Sequence, residues 1–177
     1  FRVLRVLVSI IPSRRLSVFG SGPDMISLIL VVNLDRQPNR WRRLIRELKR
    51  FRTTDGSPLT SITQRLPAVD ARDGRAIAAT ADVDSIYNIG DHLYVQPDVR
   101  LAAHFNVDEP IKMTRQEIAV ARSHIEVWKA VATGNHKYVL VLEDDVWFKS
   151  GAAVAITRGW QAALRRCFPK GGPHLLY

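Results

Sequence analysis

Residues Lys137–Phe148 read KYVLVLEDDVWF. An unbroken apolar run, Val139 to Leu142, ends in three adjacent carboxylates, Glu143, Asp144 and Asp145, and Val146, Trp147 and Phe148 then resume the apolar pattern. A short, continuous, β-branched run of this kind suits a strand buried on both faces, as in a parallel sheet. In open α/β sheets, ligands gather beyond the carboxyl ends of the strands, which is where these acids fall. Side chains alternate along a strand, so Glu143 and Asp145 point one way, about 7 Å apart at Cα, and Asp144 points the other. Two carboxylates on one side of a partly dry site repel each other, and a divalent cation resolves the conflict. An all-oxygen donor set favours Mn²⁺ or Mg²⁺ over zinc. The competing reading makes the three acids solvated loop residues, one of them capping the next helix; on the residues alone the two stand level.

The flanking sequence repeats the strand–helix rhythm. ISLILVV (26–32) is a second continuously apolar strand, and NLDRQPNR leads from it into a helix with Pro38 in the first turn. Trp41, Leu44, Ile45, Leu48 and Phe51 fall at helical spacing and form that helix's buried stripe, with arginines on the opposite face. TSITQRLPAVDARDG (60–74) reads as a strand running into a turn, and residues 75–110 as a long, partly helical excursion. TRQE (114–117) is a capping box, with Thr114 and Glu117 satisfying each other's backbone N–H groups. Ile118, Ala121, Ile125, Trp128 and Ala132 give the helix that follows one apolar face, and Gly134 suits its stop. A further helix is expected from about Ala152 to Arg166, and HLLY (174–177) opens another apolar run. The alternation predicts an α/β fold with a mainly parallel sheet flanked by helices.

The totals exclude several classes. With 46% hydrophobic and 24% charged residues the chain is neither disordered nor membrane-spanning in composition, and no run approaches the roughly 20 apolar residues of a spanning helix. A single cysteine, Cys167, rules out an internal disulfide. FRVLRVLVSIIP (1–12) lacks the small-residue cleavage site of a secretory signal. Residues 1–24, with the FGSGPD stretch, are expected to be an extension outside the fold, the alternative being a weak membrane-surface helix; residues 25–177 are then the domain proper. The net charge of +9 is concentrated: Arg36–Arg52 holds eight Lys/Arg against one Glu, which is +7, and leaves +2 for the rest. Such a local device fits a phosphate, an anionic membrane surface or a nucleic acid. A nucleic-acid module is the weakest of these, because the same helix carries a full apolar stripe and no aromatic-interleaved basic surface.

Four blocks in order, ILVVNLDRQPNR, RLPAVDARDG, MTRQEIAVARSH and VLVLEDDV, resemble glycosyltransferase family 25, which includes lipooligosaccharide and collagen galactosyltransferases. The resemblance covers about Ile26 to Tyr177. It implies a GT-A-like (Rossmann-like) fold and transfer of a sugar, galactose in the first instance, from a nucleotide-sugar donor of the UDP type to a glycan or glycolipid acceptor in lipopolysaccharide or surface-glycan biosynthesis. It further implies a metal at Glu143 and Asp145, with Mn²⁺ or Mg²⁺ against the donor diphosphate, and donor contacts from Asn33, Arg36, Arg40, Asp70, Ser123, His124 and Asp144. Asp70 reads equally well as a turn residue before Gly74. Glu117 matches too, but the capping box explains it fully.

The match also has gaps. The family's Gly-Glu-Ile-Gly-Cys reads here as Gln116, Glu117, Ile118, Ala119 and Val120, so bulkier side chains replace two glycines. The family domain continues past the strand that PHLLY would begin, so the sheet is expected to be incomplete at its C-terminal end. The general base that takes the acceptor's proton is expected in that further part, and no catalytic residue is assigned. An inactive truncated remnant is the alternative. By resemblance the enzyme is cytoplasmic, at the inner face of the membrane, where a basic helix would meet anionic lipid.

Overall fold

The computed structural model describes residues 18–74, 76, 81–88, 90, 103–104 and 106–167. The expectations for residues 1–17, for much of 75–105 and for the closing HLLY lie outside the described residues. By their internal contacts the described residues fall into two compact units, one built from residues up to Leu66 and from Ala130 onward, the other from Pro67–Lys129.

The first unit holds a three-stranded sheet. Strand β1 is Leu28–Asn33, β2 is Thr63–Pro67 and β5 is Val139–Glu143, in the order β2-β1-β5. The sheet is parallel and flanked by helices, a Rossmann-like α/β arrangement. Every residue of β1 is buried, as its unbroken apolar run requires of a central strand covered on both faces. Ile29 and Val31 enter the core cluster, while Leu28, Leu30 and Val32 alternate to the other face and are buried there too. Strand β5 pairs parallel to β1, with Ile29 opposite Leu140, Val31 opposite Leu142 and Val32 opposite Glu143.

Helix α1, Pro38–Leu48, begins with proline in its first turn and buries Leu44 and Leu48, with Trp41 and Phe51 packed beside them. A 3₁₀ turn, Leu59–Ile62, leads into β2. Helix α3, Ala152–Cys167, brings Ala153, Ile156, Trp160 and Leu164 to the same core. The expected boundary at Asp24 does not hold. Val18 and Phe19 are fully buried core residues, Phe19 bridges Ile26, and the Trp160 indole donates to the Asp24 carbonyl at 2.9 Å. Apolar surface on Val18 and Phe19 is hidden only by long-range packing, which a Gly/Ser-rich local pattern does not reveal.

The second unit contains a two-stranded antiparallel pair, β3 (Ile86–Tyr87) and β4 (Ile111–Lys112), and most of helix α2, Arg115–Thr133. The capping box forms as predicted: the Thr114 N–H donates to Glu117 Oε2 at 2.6 Å and the Glu117 N–H to Thr114 Oγ1 at 3.3 Å. The buried stripe of α2 differs from expectation. Ile118, Ala119, Ser123 and Val127 are buried, whereas Trp128 is 59% exposed and Ala132 is exposed. The helix is turned so that a serine, not a tryptophan, faces inward. No helix among the described residues is long and apolar enough to cross a membrane.

Candidate donor site at the strand ends

The β1–β5 register decides what meets at the carboxyl end of the sheet. Continuing one step past Val32 and Glu143 sets Asn33 against Asp144. Leu140 and Leu142 face the core, so alternation carries Asp144 to that same side, above helix α1. The three acids are accordingly exposed, buried, exposed at 143, 144 and 145, with Asp144 only 7% accessible. Burying a carboxylate costs several kcal/mol unless it is paired and hydrogen-bonded. Asp144 is both. Asn33 Nδ2 donates to its Oδ2 at 2.6 Å, Arg40 Nη1 donates to its Oδ1 at 3.3 Å, and Arg43 Nη2 reaches its backbone carbonyl at 3.3 Å.

Asn33, itself 1% accessible, is the hub of this end of the sheet. Its Nδ2 also donates to the Gln37 carbonyl at 3.1 Å, which fixes the turn into α1. Its Oδ1 accepts from Arg65 Nε at 2.7 Å, and Arg65 Nη2 donates to the Asn33 carbonyl at 3.2 Å and to Asp35 Oδ1 at 2.6 Å. The network therefore ties all three strands of the sheet together: Arg65 from β2, Asn33 from β1 and Asp144 just past β5. Arg40 remains half exposed while pinned to Asp144, so its guanidinium stands at the surface of the site in a set direction. Arg36 is exposed in the turn before α1. No side chain caps the start of α1, and helix N-termini favour anions.

Two more groups complete the rim. The Arg43 guanidinium lies 4.3 Å from the centre of the Trp147 ring, which is 65% exposed. Glu143 and Asp145 are exposed on either side of buried Asp144. Among the described residues no group of three or more His, Cys, Asp or Glu side chains stands together to hold a metal ion. Both Asp144 oxygens are engaged by Asn33 and Arg40, and the other two acids of this strand end, Glu143 and Asp145, are by chemistry hard oxygen donors. That donor set fits an ion of the Mg²⁺ or Mn²⁺ kind, which binds through one or two carboxylates and takes its other ligands from substrate phosphates and water.

The other residues singled out in the sequence belong to the second unit. Ser123 is buried; its Oγ accepts the Val69 N–H at 2.9 Å and donates to the Ala119 carbonyl at 2.7 Å. It pins the segment that carries Asp70 onto α2, a positioning contact. Asp70 Oδ1 accepts from the Arg72 N–H at 3.0 Å, the geometry of a turn residue. His124 is half-buried. Glu117 is held below the usual carboxylate range by the Thr114 N–H and then by the Thr114 hydroxyl, consistent with its capping role.

Sequence reasoning singled out Asn33, Arg36, Arg40 and Asp144 but missed Arg65, Arg43 and Trp147. TQRLP offers no chemical motif, so Arg65 reads as a solvent-facing strand residue. A usable signal was its place two residues from the end of a strand predicted to join the same sheet.

A parallel Rossmann-like sheet with cations, an uncapped helix start and carboxylates at its strand ends places the chain in the α/β class whose ligands gather beyond the strand ends, an arrangement consistent with a Rossmann-like glycosyltransferase. The family model for glycosyltransferase family 25, described as lipopolysaccharide biosynthesis proteins, matches residues 26–158, and the chain belongs to that family. Comparison with curated proteins and with solved structures gave no match.

Proposed function

We propose that the chain transfers a sugar, galactose as the first candidate, from a UDP-type nucleotide-sugar donor to a glycan or glycolipid acceptor of lipopolysaccharide or surface-glycan assembly. Membership of family 25 supports glycosyl transfer in lipopolysaccharide biosynthesis. The observation that carries the finer reading is Asp144, buried at the strand end and holding Arg40 toward the site through Oδ1. A cation fixed in advance stabilises charge that develops on a departing diphosphate without having to reorganise. Arg36 and the start of α1 add positive potential on the same side. In the reaction the acceptor oxygen bonds to the anomeric carbon as the bond from that carbon to the diphosphate oxygen breaks. The acceptor proton passes to a general base.

Glu143 and Asp145 would hold the Mn²⁺ or Mg²⁺ ion, whose contribution when bound is Lewis-acid neutralisation of the diphosphate. In this reading the enzyme is cytoplasmic and meets its acceptor at the inner face of the membrane. Calorimetric titration of UDP into the folded chain tests the site. The expected result is binding that requires Mn²⁺ and weakens at least about tenfold in Asp145→Ala, the order of one lost charge-assisted contact. Absence of UDP binding by a chain that circular dichroism shows to be folded would overturn the donor-site assignment.

A further inference from the structure

We infer that the outward face of helix α1 is a docking surface for an anionic lipid bilayer. The cations of Arg36–Arg52 do not act as one cloud. Arg40 and Arg43 turn to Asp144, Arg50 pairs with Glu47 at 2.9 Å, and Arg52 donates to the Lys49 and Phe51 carbonyls. Apart from Arg36 in the turn before the helix, what remains is a stripe of Arg42, Arg46 and Lys49, which recur at three- and four-residue spacing and share one face. Arg42 bonds only the neutral Asn39 Oδ1, at 2.6 Å, and among the described residues neither Arg46 nor Lys49 pairs with a carboxylate. Together with Asn39, Trp41 and Ile45 these residues line an open concavity of about 550 Å³.

The occupant follows from charge and from where the apolar groups sit. Three uncompensated cations call for a polyanion. A lipid headgroup layer offers many phosphates in a plane, and Trp41 and Ile45, half-buried between the cations, match the apolar edge of the interface, where tryptophan is enriched. Leu44 and Leu48 are fully committed to the core, so the helix cannot lay its apolar face into the membrane. Contact is therefore adsorption by charge with a shallow aromatic contribution, reversible and sensitive to salt. The surface lies apart from Asn33, Asp144 and Asp145 and does not depend on the donor reading.

Co-sedimentation of the full chain with vesicles tests it. Vesicles of mixed phosphatidylglycerol and phosphatidylcholine should bind the chain at low salt and release it at about 1 M, where the Debye length is about 3 Å. Vesicles of phosphatidylcholine alone should not bind it. The triple variant Arg42→Gln, Arg46→Gln, Lys49→Gln should adsorb on the order of a hundredfold more weakly, at roughly fivefold per cation. These side chains are exposed, and a thermal melt of the variant confirms its fold; the lipid and salt dependence of the wild-type chain tests the idea even without the variant. Equal adsorption to neutral vesicles, or undiminished adsorption of the folded triple variant, would overturn it. So would release of vesicle-bound chain by duplex oligonucleotide at equal phosphate concentration, which would reassign the face to nucleic acid. UDP titration of the same variant separates the two proposals, because its affinity should be unchanged.

Discussion

Asp144 answers the question raised by three acids beside a core strand: one of them faces the core. The cost of its burial is offset by Asn33 and Arg40, and removing the carboxylate leaves both without their partner. Asp144→Ala should therefore destabilise the folded chain by about 1–3 kcal/mol, since an orphaned buried donor costs that much. Asp144→Asn keeps an acceptor for Asn33 Nδ2 and loses only the pairing with half-exposed Arg40, so its cost should stay within about 1 kcal/mol. Urea unfolding of the two variants distinguishes a structural knot from a solvated acid, because a solvated acid predicts that both are near neutral. Alternation along the strand set Asp144 on the opposite side from Glu143 and Asp145 but did not say which side is the core, and Asn33 and Arg40 were singled out by the resemblance of the NLDRQPNR block. Arg65 was not. Its role depends on β2 lying beside β1, and nothing in five residues of mixed polarity states which strand is its neighbour.

Helix α2 shows a different limit. Its start is written in TRQE and forms as written, because a cap involves only residues three apart. Its buried face was misread because two apolar stripes compete on one helix, and the one containing Ser123 looks more polar. The polar atom is tolerated inside because both its donor and its acceptor capacity are used, by Ala119 and Val69. Ser123→Ala should cost about 1–2 kcal/mol by stranding the Val69 N–H, and the Val69 amide should exchange faster with deuterium. Trp128→Ala, on the exposed face, should change stability by no more than about 0.5 kcal/mol. Equal costs for the two would mean that the sequence-derived stripe was correct after all.

Over the whole chain, charge is distributed by purpose. Most of the +9 sits in the segment Arg36–Arg52 that includes α1, while scattered carboxylates serve local caps and turns in both units. Asp55, in the first unit, is held below its ordinary value of 3.8 by the Thr53 hydroxyl and the Ser57 N–H; Glu117, in the second, is held below 4.5 by Thr114. A group whose folded value is depressed stabilises fully above its unfolded value, and that contribution is lost as pH falls through the folded value. Lys137 has the opposite sign. Its hydrogen bond to Asp24 raises it above 10.5, so its contribution is present below that value and is lost as pH rises through the folded value. The melting temperature should accordingly be level between about pH 6 and pH 9 and fall on both sides. Glu117→Gln and Asp55→Asn retain a side-chain acceptor and remove the titration. Each should melt lower than the wild-type chain near neutrality and converge with it in acid, where the wild-type carboxyl is itself protonated. Melting curves that stay parallel down to acid pH would show that these charges contribute nothing beyond the shape of the hydrogen bond. Vesicle adsorption should not follow the same acid limb, because neither Asp55 nor Glu117 belongs to the face of Arg42, Arg46 and Lys49. Stability and membrane contact thus respond to pH independently, and measuring both on one set of samples tests whether the basic face is a surface device separate from the fold that carries it.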